Sequence, residues 1–467
     1  MKILYYNWIQ FDNKNNIGGG VNVYQRNLID YFVNNTNHEI YFLSSGWHYN
    51  FLKKEPYIRE TKNIYNGGCK SFEIINSTIM APAGVIFMNP ELFISDTITE
   101  KLFDEFLSKH GPFDVVHLNN IEGISINVLS LKEKYPNTKF VVSIHNYQSI
   151  CPLVQYFQSH NNVICNDFKN GSECLKCSLH YPSKKEYSMH CKNYFYSILP
   201  DNQKLLKFIL KHLSKLFDYR TKKYIGSSSN MLPHSYANFR EYNITMLNKY
   251  ADSILAVSER VREIMIANGI NPEKITTSYI GTKFAEKELN KSVALSTKPF
   301  TIAYLGYERI DKGFFFFIEA LSKLDKSIAQ NINIVLAVSK IHRKNYIGKL
   351  DNFNNVTVYN GYTHSNISNI LKNVNLGVVP VLWEDNLPQV AIEMVALGVP
   401  ILCSNFGGAS ELCNCDLFKF KGGDEQDFLS KLTKLVNNPH LTKEYWKNHS
   451  PLTTMKKHAE ELEIIYQ

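Results

Sequence analysis

Short apolar runs alternate with stretches of helical period along almost the whole chain, and this alternation constrains the fold more than any other feature. Strand and helix in regular succession predict a parallel sheet covered by helices on both faces. The predicted strands of the first half are Lys2–Tyr6, Glu39–Ser44, Val115–Asn119, Phe140–His145, Ser253–Val257 and Thr276–Ile280. Those of the second half are Phe300–Gly306, Asn333–Val338, Val356–Asn360, Leu376–Val381, Pro400–Ser404 and Phe418–Phe420. A chain of 467 residues exceeds what one core usually supports. Residues 283–298 lack apolar periodicity and mix charges with small residues, so they read as a linker between domains at 1–282 and 299–467. The stretch from about 148 to 247 is too long for a simple connection and reads as an insertion in the first domain. The expected architecture is α/β: two doubly wound sheets facing across a cleft, with the last helix packing back on the first domain. In such sheets ligands bind beyond the carboxyl ends of the strands.

The stretch from Trp383 to Glu411 says most about chemistry. It reads as a polar turn, a helix opened by Pro388, a stop at Gly398, a buried strand and a glycine turn at Gly407-Gly408. The N–H groups of Asn386, Leu387 and the first helical turn form an anion site, for which a phosphate is the usual occupant. Asp385 and Glu393 bracket that site. Carboxylates repel phosphate, so their place is to accept hydrogen bonds from sugar hydroxyls on either side of it. A diphosphate flanked by two sugars is a nucleotide-sugar.

Other turns after strands point to the same cleft. Gly18-Gly19-Gly20 follows the first strand and precedes the helical pattern Val21–Phe32, so backbone there can approach a ligand closely. His145 stands at the carboxyl end of its strand, at the cleft mouth. In Gly306–Gly313 the cations Arg309 and Lys312 can neutralise diphosphate oxygens; a solvated charged loop is the alternative. Ser258 caps the helix Glu259–Asn268, which Gly269 ends.

Bulk properties exclude some classes. Hydrophobic content of 44% with 20% charged residues is that of a globular protein. Aromatics at 13% suit large cores or a surface touching sugar or lipid. A net charge of +8 fits phosphate-bearing substrates or an anionic membrane face and does not call for nucleic acid. The N-terminal Met1–Trp8 turns polar too quickly for a secretion signal, and no apolar run approaches the ~18–20 residues that span a bilayer. A cytoplasmic protein is expected, its nine cysteines reduced. In that setting Cys151, Cys165, Cys174 and Cys177, the last two a CxxC pair, point to a structural zinc, with His190 and Cys191 as substitute ligands and scattered core thiols as the alternative. Residues 201–224 form a basic amphipathic pattern able to lie on anionic lipid, or else to pack on their own domain.

Taken together, Gly18-Gly19-Gly20, Ala256-Val257-Ser258, the Gly306…Lys312-Gly313 turn, the Asp385…Glu393 helix with Gly398-Val399-Pro400, and Gly407-Gly408…Glu411 stand in the order found in the retaining family-4 glycosyltransferases of GT-B fold. The resemblance covers most of the sequence outside the insertion. His145-Asn146-Tyr147 through Cys151-Pro152 and the later CxxC resemble a subset with cysteines in the acceptor-side domain. The resemblance implies a sugar transferred from a nucleoside diphosphate donor to a glycan or lipid-linked acceptor in polysaccharide synthesis, with peripheral contact at the inner membrane face and no catalytic metal. It places Glu393 on the ribose, Asp385 near the donor sugar, the N–H groups of Asn386 and Leu387 and the side chain of Lys312 on the diphosphate, and His145 near donor sugar or acceptor. Gly19 and Gly20 would border the donor. Two positions depart from the pattern. Tyr307 stands where the family usually has a phosphate-binding arginine, leaving that role to Arg309, and Asp385 replaces a glutamate that Glu384 could supply. A nucleotide-sugar epimerase of the same architecture and a non-catalytic nucleotide-sugar binder are the alternative readings.

Overall fold

The run Lys2–Tyr6 forms β1 at the middle of a sheet, where Ile3 to Tyr6 are buried by helices on both faces. The computed structural model describes all residues except 14–16, 54, 66, 83–88, 178–183, 200–231, 287–298, 339–343 and 364–365. The basic segment 201–224 and most of the expected linker therefore lie outside the described residues.

The first sheet continues through β2 (Glu39–Ser45), β3 (Tyr57–Thr61), β4 (Cys69–Ile75), β5 (Val115–Leu118) and β6 (Lys139–Ile144). A small antiparallel pair, β7 (Phe157–Gln158) with β8 (Val163–Ile164), stands apart in the insertion, and β9 (Ser253–Ala256) and β10 (Ile275–Thr277) complete the sheet. Its eight strands run in the order β10-β9-β6-β5-β1-β2-β4-β3, all parallel except for the antiparallel pair β3–β4. The second sheet comprises β11 (Phe300–Gly306), β12 (Ile332–Val338), β13 (Asn355–Asn360), β14 (Leu376–Val379), β15 (Ile401–Ser404) and β16 (Lys419–Phe420). Its order is β13-β12-β11-β14-β15-β16, parallel throughout. This is the doubly wound order with one reversal between β11 and β14, and a crevice opens where the chain leaves those two strands in opposite directions.

All twelve predicted strands are present, with ends moved by a few residues; β10, for example, stops at Thr277 rather than Ile280. β3 and β4 were not expected. The reason lies in Glu73, which interrupts the apolar run of β4 yet is 1% exposed. Its carboxylate takes His48 Nδ1 at 2.7 Å and Arg59 Nη2 at 3.0 Å, and against the opposing effect of burial these partners hold it below the usual glutamate range. Within the insertion, the helices Ser172–Cys177, Lys184–Ile198 and Pro233–Tyr250 pack around the β7–β8 pair and the first sheet.

The helix Met455–Tyr466 lies against the helix Gly19–Asn35 of the first domain. Apolar faces meet there, but the seam is fixed by buried hydroxyls and imidazoles. Tyr466 Oη meets Tyr5 Oη at 3.0 Å and His117 Nδ1 at 2.6 Å, and His117 Nε2 reaches Ser143 Oγ at 2.7 Å. Farther along, Tyr24 Oη meets His458 Nε2 at 2.7 Å. Burial holds His117 well below the usual histidine range, so the ring is neutral and each nitrogen needs its partner. Tyr466→Phe should therefore destabilise the chain by about 1–3 kcal/mol, the cost of leaving buried polar atoms unpaired, seen as a lowered denaturant midpoint. An unchanged midpoint would show that the helix is held by apolar contact alone.

Candidate functional site

The loops leaving β1, β6, β9, β11, β13 and β14 converge on a cavity of about 670 Å³ between the two sheets. From the first domain it is lined by Gly19, Gly20, Tyr24, Arg26 and His145, and from the second by Tyr307, Lys312, Tyr362, Asp385, Asn386, Leu387 and Glu393, among others. Gly20 faces the second domain closely: a Cβ there would stand 3.3 Å from Gln389 Cβ. A side chain at that position would push the domains apart.

Two carboxylates of adjacent residues have opposite fates. Glu384 turns out of the cavity to Arg260 of the first domain, accepting Nε at 3.0 Å and Nη2 at 2.6 Å, and it also accepts the Gly407 N–H at 2.8 Å. At 2% exposure it is committed to the interface, which leaves the cleft to Asp385. Asp385 Oδ2 is 2.5 Å from Lys312 Nζ, and that ammonium sits 4.8 Å from the centre of the Trp383 ring. Lysine and aspartate pair at the wall of a cavity that is mostly apolar, and an entering phosphate would compete with Asp385 for the lysine.

The helix Gln389–Ala396 begins one residue later than expected: Pro388 is its cap, in extended conformation, rather than its first residue. The helix points its N-terminus at the cavity. Among the described residues no acceptor meets the N–H of Asn386, Leu387, Gln389 or Val390, and the side chain of Asn386 is buried with both polar atoms unpartnered. This is a set of donors aimed at a space, the arrangement that accepts an anion. Deeper in, burial pushes the Glu393 carboxyl up to about 8, opposed by a hydrogen bond from Gln389. On the opposite wall His145 packs at a tilt against Tyr24, ring centres 4.9 Å apart, and among the described residues its Nε2 has no partner. Burial, reinforced by His458, lowers the His145 imidazole to about 3, so it faces the cavity as a neutral ring.

The structure thus brings together Gly19, Gly20, His145, Lys312, Asp385, Asn386, Leu387 and Glu393 from the residues singled out in the sequence. Arg309 is not among the lining residues. Its guanidinium is turned to Asp311, with Nε at 2.9 Å from one oxygen and Nη2 at 2.8 Å from the other, and Gln155 of the insertion donates to the same carboxylate at 3.1 Å. A carboxylate two residues away is thus the partner of the guanidinium. Tyr24, Arg26 and Tyr362 were missed. Tyr24 follows Gly20 by one helical turn, which was a usable signal; Tyr362 follows β13 with nothing in the sequence to mark it.

The thiols of Cys151, Cys165, Cys174 and Cys177 are all buried in the insertion. Arg240 Nη2 stands 4.0 Å from Cys165 Sγ and 3.9 Å from Cys174 Sγ, and His160 Nδ1 is 3.3 Å from Cys177 Sγ. Burial pushes these thiols up, Cys174 to about 12. Among the described residues no group of three or more His, Cys, Asp or Glu side chains is arranged to hold a metal ion. The substitute ligands lie elsewhere: His190 bonds the Trp47 carbonyl through Nδ1 at 2.6 Å, and Cys191 packs with Tyr49 and Tyr187. No helix among the described residues is long and apolar enough to cross a membrane.

Residues 285–450 match the family model for glycosyl transferases group 1. Over 165 residues the chain is 30% identical to protein CapJ of Staphylococcus aureus, covering 34% of this chain and 40% of CapJ. It is 27% identical over 195 residues to the putative teichuronic acid biosynthesis glycosyltransferase TuaC of Bacillus subtilis, covering 40% of this chain and 47% of TuaC. The chain thus spans less than half the length of these curated relatives. Solved structures extend the likeness of fold to both domains. An α,α-trehalose-phosphate synthase from Burkholderia xenovorans superposes with a TM-score of 0.60 at 10% identity, covering all of both chains. HepE of Anabaena in complex with UDP gives 0.56 at 12%, covering 100% of this chain and 99% of HepE. The fold is GT-B: two Rossmann-like domains across a cleft.

The elevated Glu393 carboxyl gives a signed prediction. The folded chain keeps a proton on Glu393 between the unfolded value near 4.3 and about 8, so its contribution to stability falls as pH rises through that window. Glu393→Gln removes this dependence. Relative to wild type the variant should gain stability from pH 5 to 8, by up to about 1.4 kcal/mol per pH unit, and no further above that. Parallel stability curves for the two proteins would mean that Glu393 is ionised throughout.

Proposed function

We propose that the chain is a retaining glycosyltransferase, moving a hexose-type residue from a nucleoside diphosphate sugar to a hydroxyl of a glycan or lipid-linked acceptor in polysaccharide synthesis. One observation carries the reading: a lysine and the unpartnered N–H groups of Asn386 and Leu387 face one cavity, between a buried carboxyl and a buried neutral imidazole. The donors suit a diphosphate, and the flanking groups suit sugar hydroxyls. The relatives support it, since TuaC is named for teichuronic acid biosynthesis and solved structures of HepE hold UDP or UDP-glucose.

In this scheme Lys312 exchanges Asp385 for the diphosphate, and the freed Asp385 accepts a hydroxyl of the donor sugar. Glu393 takes the ribose hydroxyls, which stabilise its ionised form, so nucleotide binding below about pH 8 releases a proton. His145 offers Nε2 to the sugar across the cleft. As the diphosphate departs, its charge grows against Lys312 and the helix N-terminus, donors already aimed at it and needing little reorganisation. The acceptor hydroxyl attacks on the face from which the diphosphate leaves, and that diphosphate takes its proton. Arg309, held by Asp311, supports the loop that carries Lys312.

Incubation with a panel of nucleotide-sugars and acceptors should show transfer, and Lys312→Ala should lower kcat by about 10²–10³-fold, the scale of removing one charge-stabilising group. Near-normal transfer by that variant refutes the role of Lys312. Conversion of donor without acceptor would make the chain an epimerase, and binding without turnover over a broad acceptor panel would make it a binding protein.

The reading extends to the insertion, where Cys151, Cys165, Cys174 and Cys177 would close around a structural zinc. Arg240 supports this: it is 6% exposed, its Nε has no partner, and its Nη2 faces two sulfurs rather than a carboxylate. Thiolates on zinc would supply the anion that this buried cation lacks. Metal analysis of the purified chain should find one zinc per chain, lost in Cys174→Ser; none in the wild type returns the thiols to the role of packed side chains.

A further inference from the structure

The cleft donors include a peptide whose direction is set from the other domain. Asn386 C=O accepts the Ser258 hydroxyl at 2.6 Å in a contact closed to solvent, with Ser258 at 0% and Asn386 at 4% exposure. Ser258 follows β9 in the first domain, and Asn386 belongs to the second. A carbonyl can only accept, so the hydroxyl proton is committed to this bond. Ser258 Oγ still accepts the Val261 N–H at 3.3 Å as the cap of its own helix. In a trans peptide the C=O and the following N–H point in opposite directions. With the Asn386 carbonyl drawn to Ser258, the Leu387 N–H is turned to the other side, and Leu387 lines the cavity whereas Ser258 does not.

The packing leaves no room for an alternative. Gly408 lies against this contact, and a Cβ on it would stand 2.4 Å from Asn386 O and 2.8 Å from Ser258 Cβ. Its own N–H is spent on the Asp385 carbonyl at 2.9 Å, so the preceding peptide is pinned as well. The turn therefore has one carbonyl tied within its own domain and the next tied across the interface.

We propose that Ser258 is a positioning residue for the diphosphate site: its hydroxyl orients the Asn386–Leu387 peptide so that the Leu387 N–H is presented to the anion while the domains are together. This rests on the reading of the cleft as a diphosphate site. It follows that the donor's leaving group meets its full set of N–H partners only after the acceptor-side domain has closed, which ties activation of the donor to assembly of the acceptor site.

The test compares diphosphate with nucleoside. UDP, GDP and ADP are titrated calorimetrically into the full chain, and the one that binds is paired with its nucleoside. Ser258→Ala should weaken the diphosphate about ten-fold or more, as for loss of a hydrogen bond to a charged group, while nucleoside affinity stays at the wild-type value. Ser258→Thr, which keeps the hydroxyl, should restore the ratio. Tyr279→Phe removes a different bond across the same interface, Tyr279 Oη to Glu411 at 2.7 Å, and should leave the ratio unchanged. If Ser258→Ala does not fold, Ser258→Cys, similar in size and a weak donor, takes its place. Equal loss of diphosphate and nucleoside, or loss of neither, overturns the inference while the functional reading stands. A wild type that binds no nucleoside diphosphate overturns both.

Discussion

A carboxylate cannot be buried alone, and the placement of Glu384 follows from that constraint. It lies in the second domain at 2% exposure, and its charge is met by Arg260 of the first domain together with one N–H of the glycine turn at Gly407. Separating the domains would strand the carboxylate without its guanidinium. The pair therefore fixes where the two sheets meet, and the adjacent Asp385, on the other side of the chain, is carried to the edge of the cavity. Glu411 repeats the device from the same domain: its carboxylate accepts the N–H groups of Glu259 and Arg260 at 3.0 and 2.7 Å, where the first turn of a helix has none to spare for itself.

From that seam the chemistry of the cleft can be read as a consequence of burial. His145 and Glu393 are both driven to their neutral forms by burial, one down to about 3 and the other up to about 8. Lys312 and Asp385 pair with each other. Every one of these groups can respond to a ligand. In the function proposed, a diphosphate would take the lysine, the aspartate would be released, and ribose hydroxyls would stabilise an ionised Glu393. The site responds through proton and partner exchange within a fixed frame.

Much of this frame was legible in the sequence because strand and helix periods are local. β11, β14 and β15 are apolar runs that need no distant partner to be recognised, and the turn from Trp383 to Pro388 announces an anion site by composition alone. What escaped depends on contacts between distant residues. Glu73 looks like a break in an apolar run until His48 and Arg59 are placed beside it. Arg309 looks like a phosphate ligand until the turn folds Asp311 onto it. Ser258 was visible as a helix cap, its local role, but its bond to Asn386 spans 128 residues and two domains. The masking of charges by neighbours distant in sequence is the information that periodicity does not contain.

The same distinction separates the two halves of the cleft. The second domain holds its N–H donors on one continuous turn, with Lys312 added from the loop after β11, and residues 285–450 match a family model on their own. The first domain gathers its contribution from the ends of β1, β6 and β9, and from a C-terminal helix whose His458 holds Tyr24 against His145. A surface assembled from many strand ends can change residue by residue without disturbing the sheet beneath, because each loop is an independent excursion from a buried core. A donor turn cannot, since it is tied to its neighbours at successive residues: the Asp385 carbonyl to Gly408, the Asn386 carbonyl to Ser258, and the Glu384 carboxylate to Gly407. The rigid half suits the part of a substrate that stays the same from one reaction to another, and the adaptable half suits the part that varies. For the function proposed, these are the diphosphate of the donor and the acceptor.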